Sequence, residues 1–143
     1  MKPIKGTNID DVITGTFGDD SILGLAGMDS LFGDPDLIAL TGDKLFGGND
    51  KINGGKDDDL LIGDAELMSA EGEGAEVTGG DDDLRGGNGD DEIYGDGLQL
   101  SGGNIYDESW GFLGVVYGGD DRLRGDKGAE CLQSAGERTF RRS

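Results

Sequence analysis

Branched apolar residues recur along this chain every nine positions, each two residues after an acidic one. Blocks that begin at a glycine make the grammar plain. Gly6 to Thr14, Gly15 to Leu23 and Gly24 to Phe32 place Gly at position 1 and Asp at position 6 (Asp11, Asp20, Asp29). An Ile or Leu stands at position 8 (Ile13, Ile22, Leu31). In a strand, successive side chains face opposite ways, so Asp20 and Ile22 point to one side and Ser21 and Leu23 to the other. The pattern predicts a short strand at the end of each block. It also predicts one inward stack of Ile13, Ile22, Leu31, Leu45, Ile52, Leu61, Leu84, Ile93, Leu123 and Leu132. Coils of such a stack lie about 4.8 Å apart.

Later blocks keep the order with variations. Gly54 to Ile62 is complete, and Gly86 to Tyr94 is the fullest. Blocks starting at Gly47, Gly79 and Gly118 are two residues short in the turn, and Gly42 to Phe46 keeps the Asp-x-apolar half. The last block, Gly125 to Gln133, carries Glu130 at the Asp position. Three stretches interrupt the period, each opened by Gly-Asp: Gly33-Asp34, Gly63-Asp64 and Gly95-Asp96. Residues 35–41 make the shortest, and 65–78 and 97–117 the two longer ones. Their common form predicts loops extruded from turns. Residues 1–143 are thus expected to be one domain, with insertions at 65–78 and 97–117 and a tail at 134–143.

Composition then narrows the chemistry. Glycine is 30 of 143 residues, acids outnumber bases 31 to 12, and the net charge is −19. Low apolar content with high charge ordinarily argues for disorder. Periodic apolar positions, and acids at fixed offsets from glycines, oppose that here. The charge has the wrong sign for nucleic acid and for an anionic membrane. No run approaches the roughly 20 apolar residues of a spanning helix. Histidine is absent, so a histidine-based triad or zinc site is excluded, and no enzymatic activity is expected. Met1 to Gly6 lacks an apolar signal-peptide core. The single Cys131 excludes an internal disulfide, which leaves metal as the natural stabiliser of a small extracellular fold.

Calcium suits the residues on offer. It takes six to eight hard oxygen ligands near roughly 2.4 Å, which carboxylates and backbone carbonyls supply. Bringing several carbonyls of one short turn onto an ion requires unusual dihedrals, which glycine makes cheap. A short Asp placed just before the strand reaches the ion without a long stem.

Gly86 to Tyr94 matches the unit Gly-Gly-x-Gly-x-Asp-x-apolar-x at every fixed position. Gly15 to Leu23 and Gly24 to Phe32 depart only at the second Gly. In these residues the chain resembles the RTX family of hemolysin-type calcium-binding repeats. The resemblance implies an all-β fold, a right-handed parallel β-roll (a β-solenoid) with two longer loop insertions. Each nonapeptide would be a half-coil, six residues of turn and three of strand, with several Ca2+ ions between turns of neighbouring coils. The metal-site residues expected are Asp11, Gly18, Asp20, Gly27, Asp29, Asp43, Asp50, Asp59, Asp82, Gly89, Asp91 and Asp121. Taken two units apart, Asp11, Asp29, Asp50, Asp82 and Asp121 would share one edge. Asp20, Asp43, Asp59, Asp91 and Glu130 would share the other.

The expected function is that of a calcium-binding structural module that folds on binding calcium. It would be part of a secreted, extracellular bacterial protein exported without an N-terminal signal peptide. The alternative is a polysaccharide- or protein-binding module, for adhesion or targeting. Against the first of these stands the scarcity of bases for an anionic polymer, chiefly Lys51, Lys56, Arg85, Arg122 and Arg124. Calcium ions are the partners expected, with no nucleic acid and no membrane insertion. The aromatic stretch 106–117 offers a surface for protein or self-association, or a cover for the roll's flank.

Overall fold

A computed structural model describes residues 3–71, 74–102, 114–128 and 131–133. These form sixteen strands and no helix. In chain order they are β1 (Ile4–Lys5), β2 (Val12–Thr14), β3 (Ser21–Leu23), β4 (Ser30–Phe32), β5 (Leu37–Ala39), β6 (Lys44–Phe46), β7 (Lys51–Lys56) and β8 (Leu60–Ile62). Then follow β9 (Leu67–Ala70), β10 (Ala75–Thr78), β11 (Asp83–Asn88), β12 (Glu92–Tyr94), β13 (Gln99–Gly102), β14 (Gly114–Tyr117), β15 (Arg122–Lys127) and β16 (Cys131–Gln133).

Every strand pairing is parallel. One five-stranded sheet runs β1-β3-β7-β11-β15, and a facing one runs β2-β4-β8-β12-β16. The register follows the nonapeptide. Ile4, Ile22, Ile52, Leu84 and Leu123 align in the first sheet. Ile13, Leu31, Leu61, Ile93 and Leu132 align in the second. Between them Ile22, Leu31, Ile52, Leu61, Leu84 and Ile93 are buried, with Ile4, Ile13 and Leu123 packed against them at the ends. The chain is a right-handed parallel β-roll, as its repeats imply.

Within the expected insertions, the described residues 65–71, 74–78, 97–102 and 114–117 are not irregular loops. They build a second lobe. Two three-stranded parallel sheets, β5-β9-β13 and β6-β10-β14, stack in step with the roll. Leu37 pairs with Met68, and Leu45 with Val77. Leu37, Ala39, Ala65, Met68, Ala70, Ala75 and Val77 form a separate buried core, with Leu45 against it. The stretch Glu66 to Glu76, whose acids suggest a solvated excursion, thus contributes β9 and part of β10. Its Met68, Ala70 and Ala75 are buried in this core. Leu45 belongs here and not to the roll's own stack.

The lobe also corrects the repeat count. The first interruption spans 35–46, not 35–41, and Gly42 to Phe46 is no half-coil. It is a tight turn, in which Asp43 N–H donates to Leu40 O, followed by β6. The three blocks that look two residues short are complete turns that have been cut open. Gly33-Asp34 supplies positions 1 and 2, and Gly47-Gly48-Asn49-Asp50 supplies 3 to 6. The geometry demonstrates this. A Cβ at position 1 of uncut turns would stand beside the turn's own Asp Oδ2, 2.3 Å away for Gly24 and Asp29. Gly33 meets Asp50 Oδ2 in the same way at 2.0 Å, and Gly63 meets Asp82 Oδ2 at 2.1 Å. Coil length therefore grows from 18 residues to 30, 32 and 39 along the roll.

Candidate calcium corners

The position-6 aspartates line up in two columns, one at each edge of the roll. Each accepts, through Oδ1, the backbone N–H of its counterpart one coil earlier. In the first column Asp11 donates to Asp29 at 2.9 Å, Asp29 to Asp59 at 2.9 Å and Asp59 to Asp91 at 3.0 Å. In the second, Asp20 donates to Asp50 at 2.7 Å, Asp50 to Asp82 at 2.7 Å and Asp82 to Asp121 at 3.1 Å. Beyond Asp29, the expected edges are exchanged. Counting Asp43 as a half-coil shifted every later residue to the wrong side. Asp43 itself is exposed in the second lobe and joins neither column. Glu130 lies outside the described residues, as do most of the aromatic stretch, 106–113, and the tail 134–143.

The second carboxylate oxygen is where the chemistry lies. At the first turn of each column a threonine satisfies it. Thr7 N–H and Oγ1 reach Asp11 Oδ2 at 2.6 and 2.9 Å, and Thr16 does the same for Asp20 at 2.6 and 2.8 Å. In the deeper coils the Oδ2 atoms of Asp29, Asp50, Asp59, Asp82 and Asp91 are buried with no hydrogen-bond partner. A buried charge without a partner is costly, and such groups are ordinarily paired or bound to metal. The oxygens of Asp29, Asp50, Asp59 and Asp82 each converge with a backbone carbonyl of the next coil. The Cβ position of Gly24 lies 2.3 Å from Asp29 Oδ2 and 2.5 Å from Gly54 O; that of Gly54 lies 2.3 Å from Asp59 Oδ2 and 2.8 Å from Gly86 O. Among the described residues no three acidic or thiol side chains group as a metal centre by themselves. The donor set of a corner is thus carboxylate plus carbonyl, the hard oxygen mixture that calcium takes.

The glycines of position 4 serve close approach. Gly27 and Gly89 hold φ of +108° and +147°, and a Cβ on either would sit 2.4 Å or less from backbone of the adjoining coil. In the coil between them Asp57 takes φ +74° without being glycine. Gly18 stands at the same position in the first turn of its column, where a Cβ would meet nothing within 4 Å.

Three acids that the repeat grammar passes over complete the picture. Asp34, Asp64 and Asp96, at position 2 of the cut turns, are almost wholly buried. Their signal in the sequence was the Gly-Asp pair that opens each interruption. Asp34 Oδ2 accepts Gly48 N–H at 2.9 Å, and Asp64 Oδ1 accepts Gly80 N–H at 2.8 Å. Asp34 Oδ1 and Asp64 Oδ2 have no partner.

Burial, reinforced by neighbouring carboxylates, raises the protonation ranges of these groups. Asp34 is pushed up to about 6, Asp50 and Asp59 to about 7, Asp64 to about 8 and Asp82 to about 9, against 3.8 for an ordinary aspartate. The folded, metal-free chain therefore binds protons more tightly than the unfolded one. The stability these groups contribute is fully present below about 4 and is lost as pH rises through each raised value. The metal-free protein is expected to gain β structure and melt higher at pH 5 than at pH 8, still above its isoelectric point near 4.1. Circular-dichroism melts of metal-stripped protein across that interval test this, and a melting temperature that rose with pH would contradict it.

A family model, the RTX calcium-binding nonapeptide repeat (4 copies), matches residues 5–36, 46–66 and 76–97. These segments make up just over half of the chain. The chain belongs to the RTX calcium-binding repeat family. As RTX repeats its coils are a non-catalytic structural module. No curated protein and no solved structure matches it. The gaps between the matched segments, 37–45 and 67–75, fall in the second lobe, and the roll's last strands, β15 and β16, lie beyond the matched residues.

The scarce bases gather on the outer face of the first sheet. Lys51, Asp83 and Arg122 form one row, and Asn53, Arg85 and Arg124 the next. Arg85 pairs with Asp126, and Arg124 approaches Asp83 at 4.0 Å. Acids interleave with bases, so this RTX face is no continuous cationic groove for an anionic polysaccharide. Among the described residues no helix is long and apolar enough to cross a membrane.

Proposed function

We propose that this chain is a calcium-binding structural module whose roll folds when ions enter the corners between successive coils. One observation carries this reading: five position-6 carboxylate oxygens are buried without a partner, and those of Asp29, Asp50, Asp59 and Asp82 stand beside carbonyls of the next coil. Asp29, Asp59 and Asp91 would hold ions on one edge, and Asp50, Asp82 and Asp121 on the other. Gly27 and Gly89 would let the turns approach. Bound ions supply the positive charge that turns repelling columns into cohesive ones. Such a module is unfolded where calcium is scarce and folded where it is millimolar, which suits an exported, extracellular protein.

Substitution separates the corners from the bystander. Asp59→Asn is expected to remove at least one calcium ion from the chain's native mass and to raise the calcium midpoint of folding about tenfold or more, the equivalent of roughly 1.4 kcal/mol. Asp43→Asn is expected to leave both unchanged, because Asp43 is exposed and its side-chain contact with Leu40 N–H survives in an amide. Equal ion counts for Asp59→Asn and the unsubstituted chain would overturn the assignment.

A further inference from the structure

The two edges of the roll are not equivalent. On the first edge each coil presents one buried carboxylate, at position 6. On the second, where the lobe departs, each cut turn presents two: Asp34 with Asp50, and Asp64 with Asp82. Asp96 and Asp121 continue the series. The position-2 acids stack on one another through the seam between the lobes, and Asp34 N–H donates to Asp64 O at 3.0 Å. Their carboxylates flank glycines that have no side chain to intrude. The Cβ position of Gly47 lies 2.1 Å from Asp64 Oδ1 and 2.7 Å from Asp34 Oδ2. That of Gly79 lies 2.2 Å from Asp64 Oδ2 and 2.9 Å from Asp96 Oδ1.

Among the described residues no base pairs with Asp34, Asp50, Asp64 or Asp82. The ion pairs among the described residues are Lys44–Glu76, Arg85–Asp126 and Arg124–Asp83, all outside it. Asp34 Oδ1, Asp64 Oδ2, Asp50 Oδ2 and Asp82 Oδ2 are buried with no partner. A buried, unpaired charge costs several kcal/mol. Four such oxygens in one seam, each from a different aspartate, call for counter-charge from outside the chain. The repeat unit has Gly and not Asp at position 2, and the other turns hold Thr7, Thr16, Leu25, Gly55, Gly87 and Asp126 there.

We propose that the seam between the two lobes is a separate row of hard divalent cation sites, bridging Asp34 to Asp64 and Asp64 to Asp96 beside Gly47 and Gly79. The proposal rests on the calcium reading of the corners and extends it to residues outside the nonapeptide grammar. Two carboxylates per coil give this edge more ligand charge than the other, and ligand charge sets calcium affinity. The seam fills first as calcium is raised, and it ties the second lobe to the roll.

Native mass spectrometry and amide hydrogen exchange on the full chain test this in saturating calcium. The pair D34N/D64N is expected to bind at least one ion fewer than the unsubstituted chain and to lose protection in Leu37–Ala39 and Leu67–Ala70. Protection in Ser30–Phe32 and Leu60–Ile62 should persist. The pair D59N/D91N should lose ions while keeping the lobe protected. If D34N/D64N keeps the full ion count while D59N/D91N does not, the seam proposal fails and the corners stand. If the unsubstituted chain binds no calcium, both fail. Should D34N/D64N not fold, strontium-soaked crystals of the unsubstituted chain decide. Anomalous density between Asp34 and Asp64 supports the seam, and density confined to the Asp59 edge overturns it.

Discussion

Stripping divalent ions with excess EGTA at pH 7.5 is expected to abolish most of the far-UV β signal, and millimolar calcium to restore it. Seven carboxylate oxygens, from Asp29, Asp34, Asp50, Asp59, Asp64, Asp82 and Asp91, are buried without a partner. Without cations each must either carry an unpaired charge in the interior or take up a proton. Even after relaxation the first choice costs several kcal/mol per ion. The second costs roughly 1.4 kcal/mol for each unit by which the working pH exceeds 3.8, the value at which the unfolded chain gives up the same proton. Domains are stable by only about 5–15 kcal/mol in all. The apolar cores are thin: six fully buried Ile and Leu side chains in the roll, and seven smaller or comparable ones in the lobe. Either route exhausts that margin. Magnesium should restore the signal poorly, because it insists on octahedral geometry and gives up its water reluctantly. A cooperative β melt in metal-free protein at this pH would refute the prediction.

The repeat grammar foretold the roll because it is written in contacts one coil apart. An Ile or Leu at position 8 and an Asp at position 6 have the same neighbours in each coil, so a period in sequence is a column in space. Asp11 and Asp29 were legible for that reason, and so was the core from Ile13 to Ile93. The grammar failed where the chain leaves the roll in mid-turn. Gly33-Asp34 and Gly47 to Asp50 form one turn although twelve residues separate the two pieces. Read along the chain, they are a stray dipeptide and a short block. Gly42 to Leu45 then imitates a half-coil by composition alone, and its false count reversed the edges for Asp50, Asp59, Asp82, Asp91 and Asp121. The second lobe has no fixed period of its own, because its coils lengthen from one to the next. Its alternation in Ala75-Glu76-Val77-Thr78 is a strand signal only once a partner such as β6 is in view.

Gly63→Ala is expected to lower the melting temperature in saturating calcium by about 10 °C or more, whereas Gly18→Ala changes it by no more than a few degrees. Both replace a glycine of the second edge's turns, and both shorten the list of conformations open to the unfolded chain. That effect stabilises by roughly 0.4–1 kcal/mol where the native backbone accepts alanine. At Gly18 it does, because no heavy atom lies within 4 Å of the new methyl. At Gly63 the methyl would stand 1.9 Å from Gly95 O and 2.1 Å from Asp82 Oδ2. The first is backbone of the next coil and cannot rotate away. Relief requires the coils to part, which strains the Gly63 N–H to Tyr94 O bond of 2.9 Å and pulls Asp82 from its corner. Overpacking a core costs about 1–3 kcal/mol, occasionally more. An immovable carbonyl beside a metal corner puts Gly63 at or beyond the upper end, and about 3 kcal/mol corresponds to roughly 10 °C in a domain of this size. The calcium midpoint should rise with it, since the displaced carbonyl and carboxylate are the proposed ligands. Matching melting temperatures for the two variants would mean that the coils are spaced more loosely than this contact allows, and the carbonyl–carboxylate corners would lose their geometric basis.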